Sequence, residues 1–107
     1  VYDRSCSLGP CVATAGTVGD PHDLTMELSI VREGETVYAD STSTSEMVRT
    51  VDELVGYLTR HNPVPELCVL LTGTSLVPDD DVTLLPTDRI RATIESIGTL
   101  ETGVVEV

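Results

Sequence analysis

Leu24-Thr25-Met26-Glu27-Leu28-Ser29-Ile30 is the stretch on which the fold turns. Leu24, Met26, Leu28 and Ile30 alternate with Thr25, Glu27 and Ser29, the period of two that gives a strand one dry and one wet face. The chain then runs through Arg32-Glu33-Gly34-Glu35 into Thr36-Val37-Tyr38-Ala39, so the glycine marks a hairpin between antiparallel strands. Ile90, Ala92 and Ile94 repeat the alternation against Arg91, Thr93 and Glu95. Gly98 kinks the path before a final strand expected through Val104 and Val105. Two further strands are expected, one opening at Ser5-Cys6-Ser7-Leu8-Gly9-Pro10 and one over Leu67-Cys68-Val69-Leu70-Leu71. The second is a continuous apolar run that reads as buried on both faces.

One helix is predicted, over about 51–61. Thr50 and Glu53 have capping-box spacing, and Val51, Leu54, Val55 and Leu58 form one apolar stripe. Asp52 and Glu53 sit at the positive end of its dipole, Arg60 and His61 at the negative end, and Asn62-Pro63 stops it. His61 therefore reads as a helix cap rather than a base. Six or so strands around one amphipathic helix make an α+β domain.

Composition narrows the partners. The 107 residues suffice for one modest core. Eighteen acidic residues face six basic ones, all arginine, for a net charge of −12. That balance repels nucleic acid and anionic membranes, so neither is expected as a partner. With 40% hydrophobic residues and a mean hydropathy of +0.11 the chain is not disordered. An acidic, lysine-free surface fits molar salt, where the Debye length falls to about 3 Å and carboxylate repulsion is screened. Cys6, Cys11 and Cys68 are odd in number, lie in apolar stretches and lack a second ligand pair, so buried free thiols in a reducing cytoplasm are expected. Neither a charged-then-apolar leader nor a membrane-length apolar run is seen.

The chemistry concentrates at Leu70-Leu71-Thr72-Gly73-Thr74-Ser75. Gly73, after an apolar run, lets the backbone turn sharply and approach a ligand, and Thr74 offers a hydroxyl and a backbone N–H to an anion. The pair is a carboxylate grip or, with no ligand, a strand-terminal turn. The polar Ser41-Thr42-Ser43-Thr44-Ser45 run crosses the surface or the mouth of a site. Glu33-Gly34-Glu35 spells a metal-binding pair but lies in an exposed hairpin turn. Asp20, His22 and Asp23 read as a turn before a strand, and Asp79, Asp80 and Asp81 as a solvated loop.

Ser5-Cys6-Ser7-Leu8-Gly9-Pro10, Asp20-Pro21-His22-Asp23-Leu24, the Thr50–Leu58 helix, Asn62-Pro63-Val64-Pro65, Leu71-Thr72-Gly73-Thr74 and Ile97-Gly98-Thr99-Leu100 occur in this order. In this the chain resembles the carboxyl-terminal part of the fumarylacetoacetate hydrolase superfamily, and within it the archaeal 2-keto-3-deoxyarabinonate dehydratases. The resemblance implies a β-rich mixed roll or sandwich with one main helix, residues 1–107 being the carboxyl-terminal part of such a catalytic domain. It implies magnesium (Mg2+) held by Glu-x-Glu and an aspartate, assisted by a lysine, all upstream of Val1, so that no catalytic or metal residue falls within this chain and the chain alone is inactive. The ion would polarise the carbonyl of a small 2-oxo acid and stabilise the enolate formed on loss of a C3 proton. Thr74 would bind the substrate carboxylate with Gly73 allowing the approach, and Ser75, where many hydrolases of the family have proline, points to the dehydratase branch. The activity implied is a 2-keto-3-deoxy-pentonate dehydratase giving 2,5-dioxopentanoate. Alternatives are a fumarylacetoacetate or acylpyruvate hydrolase or an oxaloacetate decarboxylase, in each case a cytoplasmic homo-oligomer, dimer or tetramer. From its own residues, which hold no complete acid, base and metal set, the chain also reads as a non-catalytic binding or assembly module.

Overall fold

Residues 2–107 are described by a computed structural model. The alternating stretch forms β1 (Thr25–Arg32), and the hairpin returns as β2 (Glu35–Ser43). Glu33 (φ 50°) and Gly34 (φ 85°) both take left-handed conformations between them, as the tightest hairpin turn requires. β3 (Asp88–Ile94) pairs antiparallel with the other edge of β1, and β4 (Gly98–Gly103) closes a four-stranded sheet of order β2-β1-β3-β4. The helices are a short α1 (Ala15–Val18), α2 (Val51–Thr59) and a 3-10 turn at Thr44–Glu46.

Register sets the faces. Met26 opposes Ile94, Leu28 opposes Ala92, Ile30 opposes Ile90, and Arg32 opposes Asp88, so one face carries the apolar residues and ends in an ion pair. Leu24, Ile30 and Leu76 are buried there. Asp88 is buried too, and its carboxylate takes two hydrogen bonds from the Arg32 guanidinium at 2.7 and 2.9 Å and one from the Leu85 N–H at 2.8 Å. A buried carboxylate so fully paired escapes the cost of an orphaned charge. The opposite face is polar, with Arg91 paired to Glu101 at 2.7 Å and Thr93 bonded to Thr99.

Several expectations need correction. Residues 67–71 form no strand and are exposed, Leu67 at 90% and Leu71 at 60%, because the run finds no strand to pair with among the described residues. The Ser5–Pro10 stretch is likewise not a strand; it lies across β4, with Ser7 bonded to Thr102. The last strand ends at Gly103, before Val104 and Val105. Cys6, Cys11 and Cys68 are free, as expected, but exposed rather than buried. α2 stops at Thr59, and the side chain that caps its last turn is Asn62, donating to the Leu58 carbonyl, while His61 takes a left-handed φ of 54°. The helix start follows the capping box: Thr50 Oγ1 accepts from the Glu53 N–H and Glu53 returns to the Thr50 N–H at 2.8 Å.

Candidate functional site

Three pieces of chain converge on the apolar face of the sheet. β1 brings Met26; the end of β2 and the 3-10 turn bring Ser43, Thr44, Glu46 and Met47; and the loop before Leu76 brings Thr72, Gly73, Thr74 and Ser75. Together they enclose a concavity of about 350 Å³. Leu76 anchors the loop by burying its side chain on the sheet, which holds the Gly-Thr turn at the rim.

Gly73 takes φ 86°, a conformation in which a side chain is strained, and the space where a Cβ would stand is open. Thr74 Oγ1 accepts the Leu76 N–H at 3.0 Å, which fixes the hydroxyl oxygen and leaves its proton to donate outward. Ser75 donates to Thr42 Oγ1 at 3.2 Å, tying the loop to β2. Glu46 is the one charged side chain on the lining, so the concavity has donors for an acid group but no cation of its own among the described residues.

A larger hollow of about 430 Å³ lies on the wet face, lined by Glu27, Asp40 and Arg91 among others. It is a shallow groove in the sheet surface, its arginine is already paired with Glu101, and Thr74 takes no part in it.

The other sequence candidates stay apart. Glu33 lies in the exposed hairpin turn and Glu35 at the start of β2. Asp20 organises the turn before β1, its Oδ1 accepting the His22 N–H at 2.9 Å. Among the described residues no three His, Cys, Asp or Glu side chains gather as a metal site. The donors present therefore do not fit a bound magnesium ion. The reading of the sequence singled out the Gly-Thr turn and the Ser/Thr run, whose Ser43 and Thr44 line the concavity, but not Met26, Glu46 or Met47. The available signal for Glu46 and Met47 was their place directly after the hydroxyl-rich run; for Met26 it was its place on the dry face of β1.

Residues 1–105 match the family model described as fumarylacetoacetate (FAA) hydrolase C-terminal. The chain belongs to the fumarylacetoacetate hydrolase family. Within that family it is 59% identical over 107 residues to a Haloferax volcanii protein described as "Probable 2-keto-3-deoxyxylonate dehydratase", covering 100% of this chain and 37% of that protein. It is 39% identical to the 2-dehydro-3-deoxy-D-arabinonate dehydratase of Saccharolobus solfataricus, covering 97% of this chain and 35% of that one. A solved 2-keto-3-deoxyarabinonate dehydratase superposes on the whole chain with a TM-score of 0.97 at 38% identity, using 37% of its own length. A second, complexed with magnesium and 2,5-dioxopentanoate, superposes on 89% of this chain, using 34% of its own, with a TM-score of 0.86 at 40% identity. The chain thus spans a little over a third of the length of the curated relatives it matches. The first of the solved relatives superposes along the whole chain, so the fold expected of the family is the fold found.

Proposed function

We propose that residues 1–107 form the carboxyl-terminal part of a fumarylacetoacetate hydrolase-type catalytic domain, in a magnesium-dependent enzyme that dehydrates a 2-keto-3-deoxy-pentonate to 2,5-dioxopentanoate. In this reading the Gly73-Thr74 turn holds the substrate carboxylate. The observation that carries it is the turn itself: a left-handed glycine opens room at the concavity, and Thr74 presents a hydroxyl whose oxygen is already fixed by Leu76. The dehydratase relatives at 59% and 39% identity, and the relative solved with magnesium and 2,5-dioxopentanoate, support the substrate class. The acidic concavity needs a countercharge, and the cation ligands come in this proposal from residues outside 1–107. This chain's own task is to bind and orient the acid group.

Thr74→Val in the intact enzyme tests the assignment. A hydrogen bond to a charged group contributes about 1.5–3 kcal/mol, so KM is expected to rise on the order of 10- to 100-fold with kcat changed little. An unchanged KM would remove Thr74 from the site.

The enzyme is proposed to work in the cytoplasm as a dimer or tetramer; no helix among the described residues is long and apolar enough to cross a membrane. It is also proposed to be adapted to high salt, on the strength of its −12 charge and absent lysines. Its melting temperature is expected to climb from dilute buffer to molar potassium chloride as repulsion is screened, and a flat salt response would count against that adaptation.

A further inference from the structure

Thr44, Glu46 and Met47 line the concavity from the segment 44–51, and both ends of that segment are tied to the same short turn. At the near end, Thr44 donates its N–H to the Leu24 carbonyl at 2.9 Å and accepts the Leu24 N–H on Oγ1 at 2.9 Å. At the far end, the Val51 N–H donates to His22 Nε2 at 3.0 Å. Between these ties the segment makes, among the described residues, only local bonds, such as Met47 N–H to the Thr44 carbonyl and the Thr50–Glu53 box. α2, which follows, buries no residue completely and packs extensively against none of the strands. The histidine is therefore a long-range polar bond, spanning 29 residues, between the start of the helix and the frame of the sheet.

The chemistry of that bond defines the ring. Nε2 accepts, so it carries no proton, and the proton sits on Nδ1, which faces Asp20 Oδ1 at 3.4 Å. Asp20 is held in turn by the His22 N–H. A nitrogen whose lone pair is engaged by a backbone amide is not available as a base towards substrate.

We propose that His22 is a positioning residue for the site: through Val51 it fixes the far end of the 44–51 wall and so sets Glu46 and Met47 in the concavity that Thr74 also lines. This rests on the reading of the concavity as the carboxylate site. Freed from His22, the wall would pivot about the doubly bonded Thr44, and the distance across the concavity would cease to be fixed.

The test uses the intact enzyme with His22→Ala, His22→Gln and Thr74→Val, read by amide hydrogen exchange at 47–54 and by KM and kcat for a 2-keto-3-deoxy-pentonate. His22→Ala is expected to speed exchange of the Val51 amide about fivefold or more, the change one neutral hydrogen bond supports. KM should rise several-fold while kcat stays near its original value. His22→Gln, whose amide oxygen restores an acceptor, should recover both. Unaltered Val51 exchange in His22→Ala, faster exchange with unaltered KM, or failure of the glutamine to rescue at unchanged melting temperature would each overturn the proposal. The two readings separate cleanly: an unaffected KM in Thr74→Val defeats the carboxylate assignment, whereas the Val51 exchange rate reports the histidine tie whatever the substrate does.

Discussion

The sheet and the 67–71 run of the connection between α2 and β3 treat their apolar residues in opposite ways. β1 has a partner on each side, its dry face carries buried Ile30, and its end is locked by Arg32 and Asp88. In the connection, Leu67, Val69 and Leu71 are as apolar as anything in the sheet, yet they stand 90%, 57% and 60% exposed. The difference teaches that hydrophobicity specifies burial without specifying the partner. A hairpin brings its partner with it in sequence; an isolated apolar run does not.

The largest effect is expected where the two regions are joined. Asp88 links β3 to β1 through Arg32, while Arg32 also donates to the Thr83 carbonyl and Asp88 accepts from Leu85, so one carboxylate holds both the sheet and the end of the connection. The Arg32 hydrogen bonds lower its pKa from 3.8 to about 2, outweighing the opposing effect of burial, with the Leu85 N–H adding to the shift. A depressed carboxylate stabilises the folded state fully above its unfolded value, and that contribution disappears as pH falls through about 2. Asp88→Asn is expected to cause the largest loss of stability among these changes and to flatten the acid limb between pH 3.8 and about 2, as read by urea midpoints across that range. An acid limb identical in the variant would mean that the sheet and the connection are not coupled through this residue.

A smaller effect is expected at the capping box of α2, whose own bonds lie within residues 50–53. Thr50→Ala removes the acceptor for the Glu53 N–H and the hydroxyl that donates to the Glu53 carboxylate, whose pKa is held low first by the backbone N–H of residue 50, which alanine keeps, and then by that hydroxyl. About 1 kcal/mol of stability should be lost, measured by chemical denaturation. A loss well above that would show that the cap also carries the wall of the concavity.

Local signals made the first region and the helix legible. The alternation at 24–30 and 90–94, the Gly34 turn and the Thr50–Glu53 pair each encode their structure within a few residues, and each is found in place. The helix end was less legible because a left-handed His61 and an Asn62 side-chain bond depend on the chain path towards Pro63. Leu67–Leu71 misled because a continuous apolar run indicates cover on two sides, and the cover is not among these residues. Cys68 misled for the same reason, since it shares the fate of its run. Of the concavity, Gly73 and Thr74 could be read from their own tetrapeptide, and the hydroxyl run marked Ser43 and Thr44. His22 could not be read as a tie to Val51, since nothing in Asp20-Pro21-His22-Asp23 announces a contact 29 residues away.

The smallest effect sharpens the contrast most. Truncating an aliphatic residue buried like Ile30, which is 2% exposed, costs about 2–5 kcal/mol, because apolar surface is lost from the core and a cavity is left. Leu67, at 90% exposure, has almost no such contacts to lose within these residues. Leu67→Ser in the 107-residue chain should therefore shift stability by less than about 0.5 kcal/mol. The same substitution in the intact enzyme separates two explanations of the exposed run. A loss there of core size means that the run packs against chain outside residues 1–107; a loss as small as in the isolated chain means that it remains a surface segment. The two denaturation curves compare a single side chain with and without its surroundings, so their difference measures the cover that the apolar pattern of 67–71 calls for and that the sheet does not provide.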